Sequence, residues 1–176
     1  MKIQLTSTKI INWISFLLIL VMIVLMFIPY WTYDTKEKNP ETGKREEVTK
    51  VISINEYVWF PREHKDMTKE FKALYPETKN EEEDKEFGFW INDFVMMPAL
   101  VLAVGLIVGI ISLWYSNVPF SALLALFLGG LGTYSYITRP EFWLGNPVPH
   151  IVVSAITAAV GLVGAVWFFA KKFLKK

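Results

Sequence analysis

Residues 94–115 read FVMMPALVLAVGLIVGIISLWY, residues 116–118 read SNV, and residues 119–137 read PFSALLALFLGGLGTYSYI. Each apolar run is long enough to cross a ~30 Å hydrocarbon core as a helix, which takes about 20 residues. A connection of only Ser116-Asn117-Val118 makes the two runs antiparallel, with both linked ends on one face of the membrane. The stretch from Asn92 to Thr138 therefore reads as a transmembrane hairpin, and the rest of the chain takes its side from it.

Composition supports that frame. Of the 176 residues, 53% are hydrophobic, yet 20% are charged and mean hydropathy is +0.34. Those values coexist only if the charges are segregated. Between Thr32 and Trp90 lie eleven basic and fifteen acidic residues, while the apolar runs hold almost none. The expectation is an all-α integral membrane protein with four transmembrane helices at 10–30, 93–115, 119–137 and 148–170. Residues 31–92 form an extracytoplasmic segment, 116–118 a cytoplasmic turn and 138–147 an outer loop. The tails are 1–9 and 171–176. With no cysteine there is no disulfide framework or thiolate site. A sizeable outer segment without cysteine fits a bacterial envelope.

The run from Ile10 to Tyr30 is longer than a signal-peptide core and has no small-x-small cleavage site, so it reads as an uncleaved first helix. Apart from Ser15 it lacks small residues, which predicts loose packing at the periphery or against an outside partner. The other spans carry small residues at helical spacing: Gly105 and Gly109, Gly129 and Gly132, Gly161 and Ala165. Such positions let backbones approach closely. They predict one tight bundle, with a homodimer through Gly105/Gly109 as the sharper reading. Asn92 or Asp93, Asn117, and Asn146 with Pro147 are the expected helix starts.

Lys2 and Lys9 precede the first span, and Lys171, Lys172, Lys175 and Lys176 follow the last. The positive-inside rule puts both tails in the cytoplasm and the protein in the cytoplasmic membrane. Tyr30, Trp31, Trp90, Tyr136 and Trp143 then mark the outer boundary, and Trp13, Trp114, Tyr115 and Trp167 the inner one.

In the outer segment, Asp34–Lys50 reads as a loop or hairpin tip. Val48–Ile54 suits a strand, whereas Ser53-Ile54-Asn55-Glu56 has the form of a capping box opening a helix. Met67–Tyr75 reads as a short amphipathic helix stopped by Pro76. The segment is expected to lie on the outer mouth of the bundle, with Phe60, Phe71, Leu74, Phe142 and Trp143 buried there.

Trp59, Phe60, His64, Tyr136, Arg139, Trp143 and His150 are the candidate partner- or ligand-binding residues. His64 lies near Glu63, Asp66 and Glu70 but lacks a second histidine at metal spacing, so no metal is expected. The acidic run Glu81–Glu86 lacks the alternating ligands and glycine of a calcium loop and reads as a solvated face. No ionisable residue lies deep in any span, which argues against a proton-coupled transporter, a charged-ring channel or an intramembrane protease. Nothing points to nucleic acid or a cofactor.

The layout resembles that of claudin-like proteins in shape alone. Their Trp…Gly-Leu-Trp…Cys…Cys signature is missing, and no family is assigned. The leading expectation is a non-catalytic envelope component that docks a membrane or envelope protein through its outer segment and first helix. The alternative is a protein that binds a lipid or small hydrophobe in a pocket at the outer face, near Trp59, Tyr136, Trp143 and His150. An enzyme using His64, Glu63, Arg139, Glu141 and His150 ranks last, because no nucleophile–base pair is visible.

Overall fold

The first apolar run folds as helix α1 (Ser7–Leu25) and stops short of the expected end at Tyr30. Met26, Phe27 and Ile28 donate their N–H groups only three residues back, to Ile23, Val24 and Leu25, tightening the last turn. Pro29 has no N–H and disfavours the helical region for Ile28. Tyr30 already belongs to the next element, its N–H bonding Ile52 O at 3.0 Å. The computed structural model describes residues 7–60, 63–74, 104–111, 118–138 and 140–174.

Beyond α1 comes a ribbon: β1 (Trp31–Lys38) pairs antiparallel with β2 (Arg45–Ile52), from Trp31↔Ile52 to Lys38↔Arg45. The stretch Asp34–Lys50, expected as a loop or hairpin tip, is a hairpin in which the strands extend well into the stretch on both sides. Its tip is an Asx turn in which Asn39 Oδ1 accepts from Glu41 N–H at 2.9 Å. Gly43 follows at φ 69°, a conformation glycine adopts without a Cβ penalty. The two readings of the next stretch are both realised in sequence. The strand ends at Ile52, and Ser53 then caps helix α2 (Ile54–Trp59), its Oγ accepting from Glu56 N–H at 3.1 Å. Helix α3 (Lys65–Leu74) begins two residues before the amphipathic run that marks it.

Among the described residues, helices α4 (Phe120–Thr138) and α5 (Val148–Phe173) join α1 as the three helices long and apolar enough to cross a membrane. Residues 104–111 are helical. The rest of the expected 93–115 span, with Asn92, Asp93 and Asn117, lies outside the described residues, so three candidate spans are described rather than four. A 3₁₀ turn (Pro140–Leu144) links α4 to α5. Asn146 Oδ1 accepts from Val148 N–H at 3.2 Å, as a capping Asn should, although the residue at the cap position is Pro147. Helix α5 continues past Ala170 to Phe173, placing Lys171 and Lys172 in its last turn, where cations suit the dipole.

Helices α4 and α5 meet backbone to backbone. A Cβ on Gly129 would lie 2.4 Å from Ala158 N, and one on Gly161 would lie 2.3 Å from Leu126 N. Each glycine is therefore the slot into which the other helix fits. Helix α1 is the least buried of the three long helices, as its lack of small residues predicts. Its close approaches use small residues that stand on its neighbours. A Cβ on Gly164 would collide with Ile11, one on Gly109 with the Phe16 ring, and one on Gly105 would lie 3.1 Å from Ile19. The Gly105/Gly109 face expected to serve a homodimer is thus occupied within the chain.

Candidate functional site

Two clusters outside or at the edge of the apolar layer hold the polar chemistry. The first is in the cap formed by the hairpin, α2 and α3. Strand alternation turns Trp31 and Tyr33 inward and Thr32 and Asp34 outward. Tyr33 Oη lies 2.8 Å from Nδ1 of His64, and His64 Nε2 lies 3.5 Å from Glu56 Oε1. A neutral ring with its proton on Nε2 serves both contacts, accepting from Tyr33 and facing the carboxylate. His64 is 6% exposed, so the residue with the best claim to surface chemistry in the segment is a tie between β1 and the start of α3.

Other ties run beside it. Thr35 Oγ1 donates to Asp66 Oδ2 at 2.7 Å, Asp34 N–H to Glu70 Oε1 at 3.3 Å, and Thr49 Oγ1 to Asp34 Oδ1 at 2.7 Å. Hydrogen bonds from Lys69 and then Thr35 hold the Asp66 carboxyl below its usual range. Burial raises the Tyr33 phenol. The hydrogen bond with Glu37 raises the Lys50 ammonium. Among the described residues, no three His, Asp or Glu side chains converge as metal ligands would.

The second cluster is where cap meets bundle. Trp31, Tyr30, His150, Tyr136 and Phe142 form a closed circuit of rings, with successive centroids 5.5, 4.5, 5.2, 4.7 and 5.6 Å apart. Trp31, Tyr33, Ile52, Ile54 and Met67 from the cap share one core with Tyr136 and Phe142. Gly145 closes the circuit from outside. It bridges Trp31, and a Cβ there would overlap the Tyr30 carbonyl. His150 Nε2 lies 3.1 Å from Leu25 O at the end of α1. Below the rings a narrow cleft is lined by Met22, Ile23, Leu25 and Met26 of α1 and the following turn, Leu128, Leu131, Gly132 and Tyr136 of α4, and His150 and Ser154 of α5.

The sequence candidates sort accordingly. His150 and Tyr136 come together. His64 belongs to the cap's own bonding. Phe60 and Trp143, expected to be buried, are each 54% exposed. Phe142 is buried as expected. Trp59 ends α2, and its side chain, like those of Phe71, Leu74 and Glu141, lies outside the described set. Arg139 and the Glu81–Glu86 run also fall outside the described residues. Trp31 and Tyr136, expected as boundary aromatics, are core residues where cap meets bundle. Tyr30, Trp31 and Ser154 were missed as site-forming residues. The signal for the first two was the alternation that begins directly after Pro29. Comparison with protein families, with curated proteins and with solved structures finds no match.

Proposed function

We propose that this is a non-catalytic, four-span protein of the bacterial cytoplasmic membrane that works by presenting its cap to a partner protein outside the cell membrane. In this reading residues 93–115 supply the remaining span, and both lysine-bearing flanks are cytoplasmic. The observation that carries it is the shared core. Because Trp31 and Tyr33 pack with Tyr136 and Phe142, the cap is built onto the bundle as one body rather than tethered to it. A rigid surface costs less to order on binding than a mobile one. That surface offers exposed aromatic groups at Phe60 and Trp143, the residue class that anchors protein interfaces.

A photo-crosslinking amino acid at Phe60 or Trp143 in native membranes tests the reading. The expected result is one crosslinked species, stoichiometric with the protein and lost on Phe60→Ala or Trp143→Ala. Crosslinks to lipid alone would overturn it. The cysteine-free chain makes the topology equally testable. A single cysteine replacing Thr42 should react with an impermeant maleimide from outside, and one replacing Lys171 should not.

A further inference from the structure

The β1–β2 ribbon has one edge in use and one edge open. Asn39 N–H donates to Lys44 O at 2.8 Å, which makes Asn39–Lys44 a hydrogen-bonded pair in line with the strand register. Bonded and non-bonded pairs alternate along an antiparallel ladder. Glu37–Glu46, Thr35–Val48 and Tyr33–Lys50 are then bonded pairs, and the residues between them turn their N–H and C=O groups outward. On β1 that edge is met by the rest of the cap. Asp34 N–H reaches Glu70 Oε1 at 3.3 Å, and Gly145 bridges the strand at Trp31. On β2 the outward groups belong to Arg45, Glu47, Thr49 and Val51. Among the described residues no hydrogen bond reaches those backbone groups. The side chains from Arg45 to Thr49 are all exposed, and Val48 and Val51 are 39% and 53% exposed.

We propose that this open edge is closed by β2 of a second copy of the chain, antiparallel and centred on Val48, giving a sheet in the order β1–β2–β2–β1. The charge pattern selects that occupant and that register. Charges on an edge strand normally keep other strands away. Here the signs are arranged so that a two-fold rotation about Val48 brings opposites together. Glu46 comes opposite Lys50 of the second copy, Lys50 comes opposite its Glu46, and Val48 meets its own equivalent. These are non-bonded pairs, whose side chains approach most closely. Glu46 and Lys50 already hold Asn39 and Glu37 within the ribbon, and a carboxylate and an ammonium each have capacity for a further contact. The bonded pairs join Arg45 to Val51 and Glu47 to Thr49, so the outward backbone groups of all four residues find partners. Moving the centre one residue toward the tip sets Glu47 against its own copy. Moving it one residue toward Ile52 sets Val48 against Lys50 and removes both charge pairs. A two-stranded ribbon is only marginally stable in water by itself, so the outer part of this one gains from added strands. Phe60 and Trp143 take no part, and the pairing is independent of the partner-binding surface they form.

The chain has no cysteine, so disulfide trapping reads the contact directly. In a non-bonded pair the Cα atoms are about 4.5 Å apart, within reach of a disulfide. Two copies of Val51 would lie about 20 Å apart along the strands, beyond that reach. On oxidation in native membranes, full-length Val48→Cys should therefore form a homodimer roughly tenfold faster than Val51→Cys, although Val51 is the more exposed. Val48 lies on the surface, so its variant keeps the fold, which an unchanged melting temperature checks. Co-expressed Glu46→Cys and Lys50→Cys chains carrying different tags should crosslink to each other and not to themselves. Adding Glu46→Lys to Val48→Cys should slow trapping about fivefold, and adding Lys50→Glu to that pair should restore it. Trapping at Val48 no faster than at Val51 would overturn the proposal. So would a crosslink from Val48→Cys to a different protein, or a homodimer that forms in detergent and not in membranes.

Discussion

The bundle and the cap solve the packing problem with opposite residues. Where α4 meets α5, the contact is made by what is absent. Gly129 and Gly161 have no side chains, and the backbones of the facing helices fill their places. Where the cap meets the bundle, the contact is made by the largest side chains available, Trp31, Tyr30, Tyr136 and Phe142. Apolar surface gains nothing by moving from lipid to protein, so helices in a bilayer associate through close van der Waals contact. Outside the hydrocarbon, water supplies the drive, and burying aromatic area is the strongest way to use it.

The comparison is sharpest at Trp31, which has no exposed surface and touches Tyr30, Tyr57 and Phe142. Trp31→Ala should cost roughly 3–5 kcal/mol, the usual range for a buried aromatic. Because Trp31 belongs to the cap side of the shared core, the loss should appear as cap opening while the helices remain. Hydrogen exchange should rise across β1, β2 and α3 far more than across α4 and α5. Equal loosening of both regions would mean that cap and bundle unfold as one unit.

Next in size are the glycines. Adding only a methyl group at Gly129 or Gly161 places it against backbone, which cannot rotate away. Gly129→Ala and Gly161→Ala should each cost about 1–3 kcal/mol, the range for overpacking. Gly130 has nothing within 4 Å of a Cβ, so Gly130→Ala should be neutral or slightly stabilising, as helix propensity favours Ala over Gly. Melting temperatures of the three variants in one detergent separate close contact from simple glycine content. Three equal losses would refute the slot interpretation.

A smaller effect is expected at the Tyr33–His64 tie. Tyr33→Phe keeps the ring and removes one hydrogen bond, so it should cost about 1 kcal/mol. Proteolysis or exchange at α3 is the readout, because this bond joins the start of α3 to β1.

How much of this was legible follows the same division. Helices α4 and α5 were plain in the sequence, since an uninterrupted apolar run admits little else. The Ser53 cap was legible because its chemistry is local, a hydroxyl three residues before the N–H it binds. Strand β1 was not. Only its first few residues face a core, and Thr35 to Lys38 read as polar because that part of the ribbon stands in water. The peripheral place of α1 was legible, but the points where it approaches its neighbours closely were not. Closeness between helices belongs to the pair, and the glycines that admit Ile11, Phe16 and Ile19 lie on other helices. The ring circuit at His150 was hidden for the same cause. Tyr30 is far from Tyr136 and His150 in sequence, and the Trp31–Gly145 bridge, the Thr32 bond to Leu144 O and the His150 contact with Leu25 O bring their elements together.

The smallest predicted effect concerns acid. The Asp66 carboxyl is held low by Lys69 and Thr35, so its contribution to stability is present above the ordinary Asp range, about 3.9. It disappears as pH falls through the lowered value. The group is solvent-accessible, so the change is modest, and Glu56 and Glu70 are further carboxylates of the cap. The difference between wild type and Asp66→Asn isolates it. Exchange protection in α3 should fall on acidification in the wild type and fall less in the variant. The two should converge at the acid end, where the wild-type carboxyl is also neutral. Protection in α4 and α5 should change far less, since α4 carries no Asp, Glu, Lys, Arg or His, and α5 carries only His150 at one end and Lys171 and Lys172 at the other. If the bundle loosened in step with the cap, the shared aromatic core would be transmitting the loss of a surface carboxylate across the membrane boundary, and the contrast between the two regions would fail.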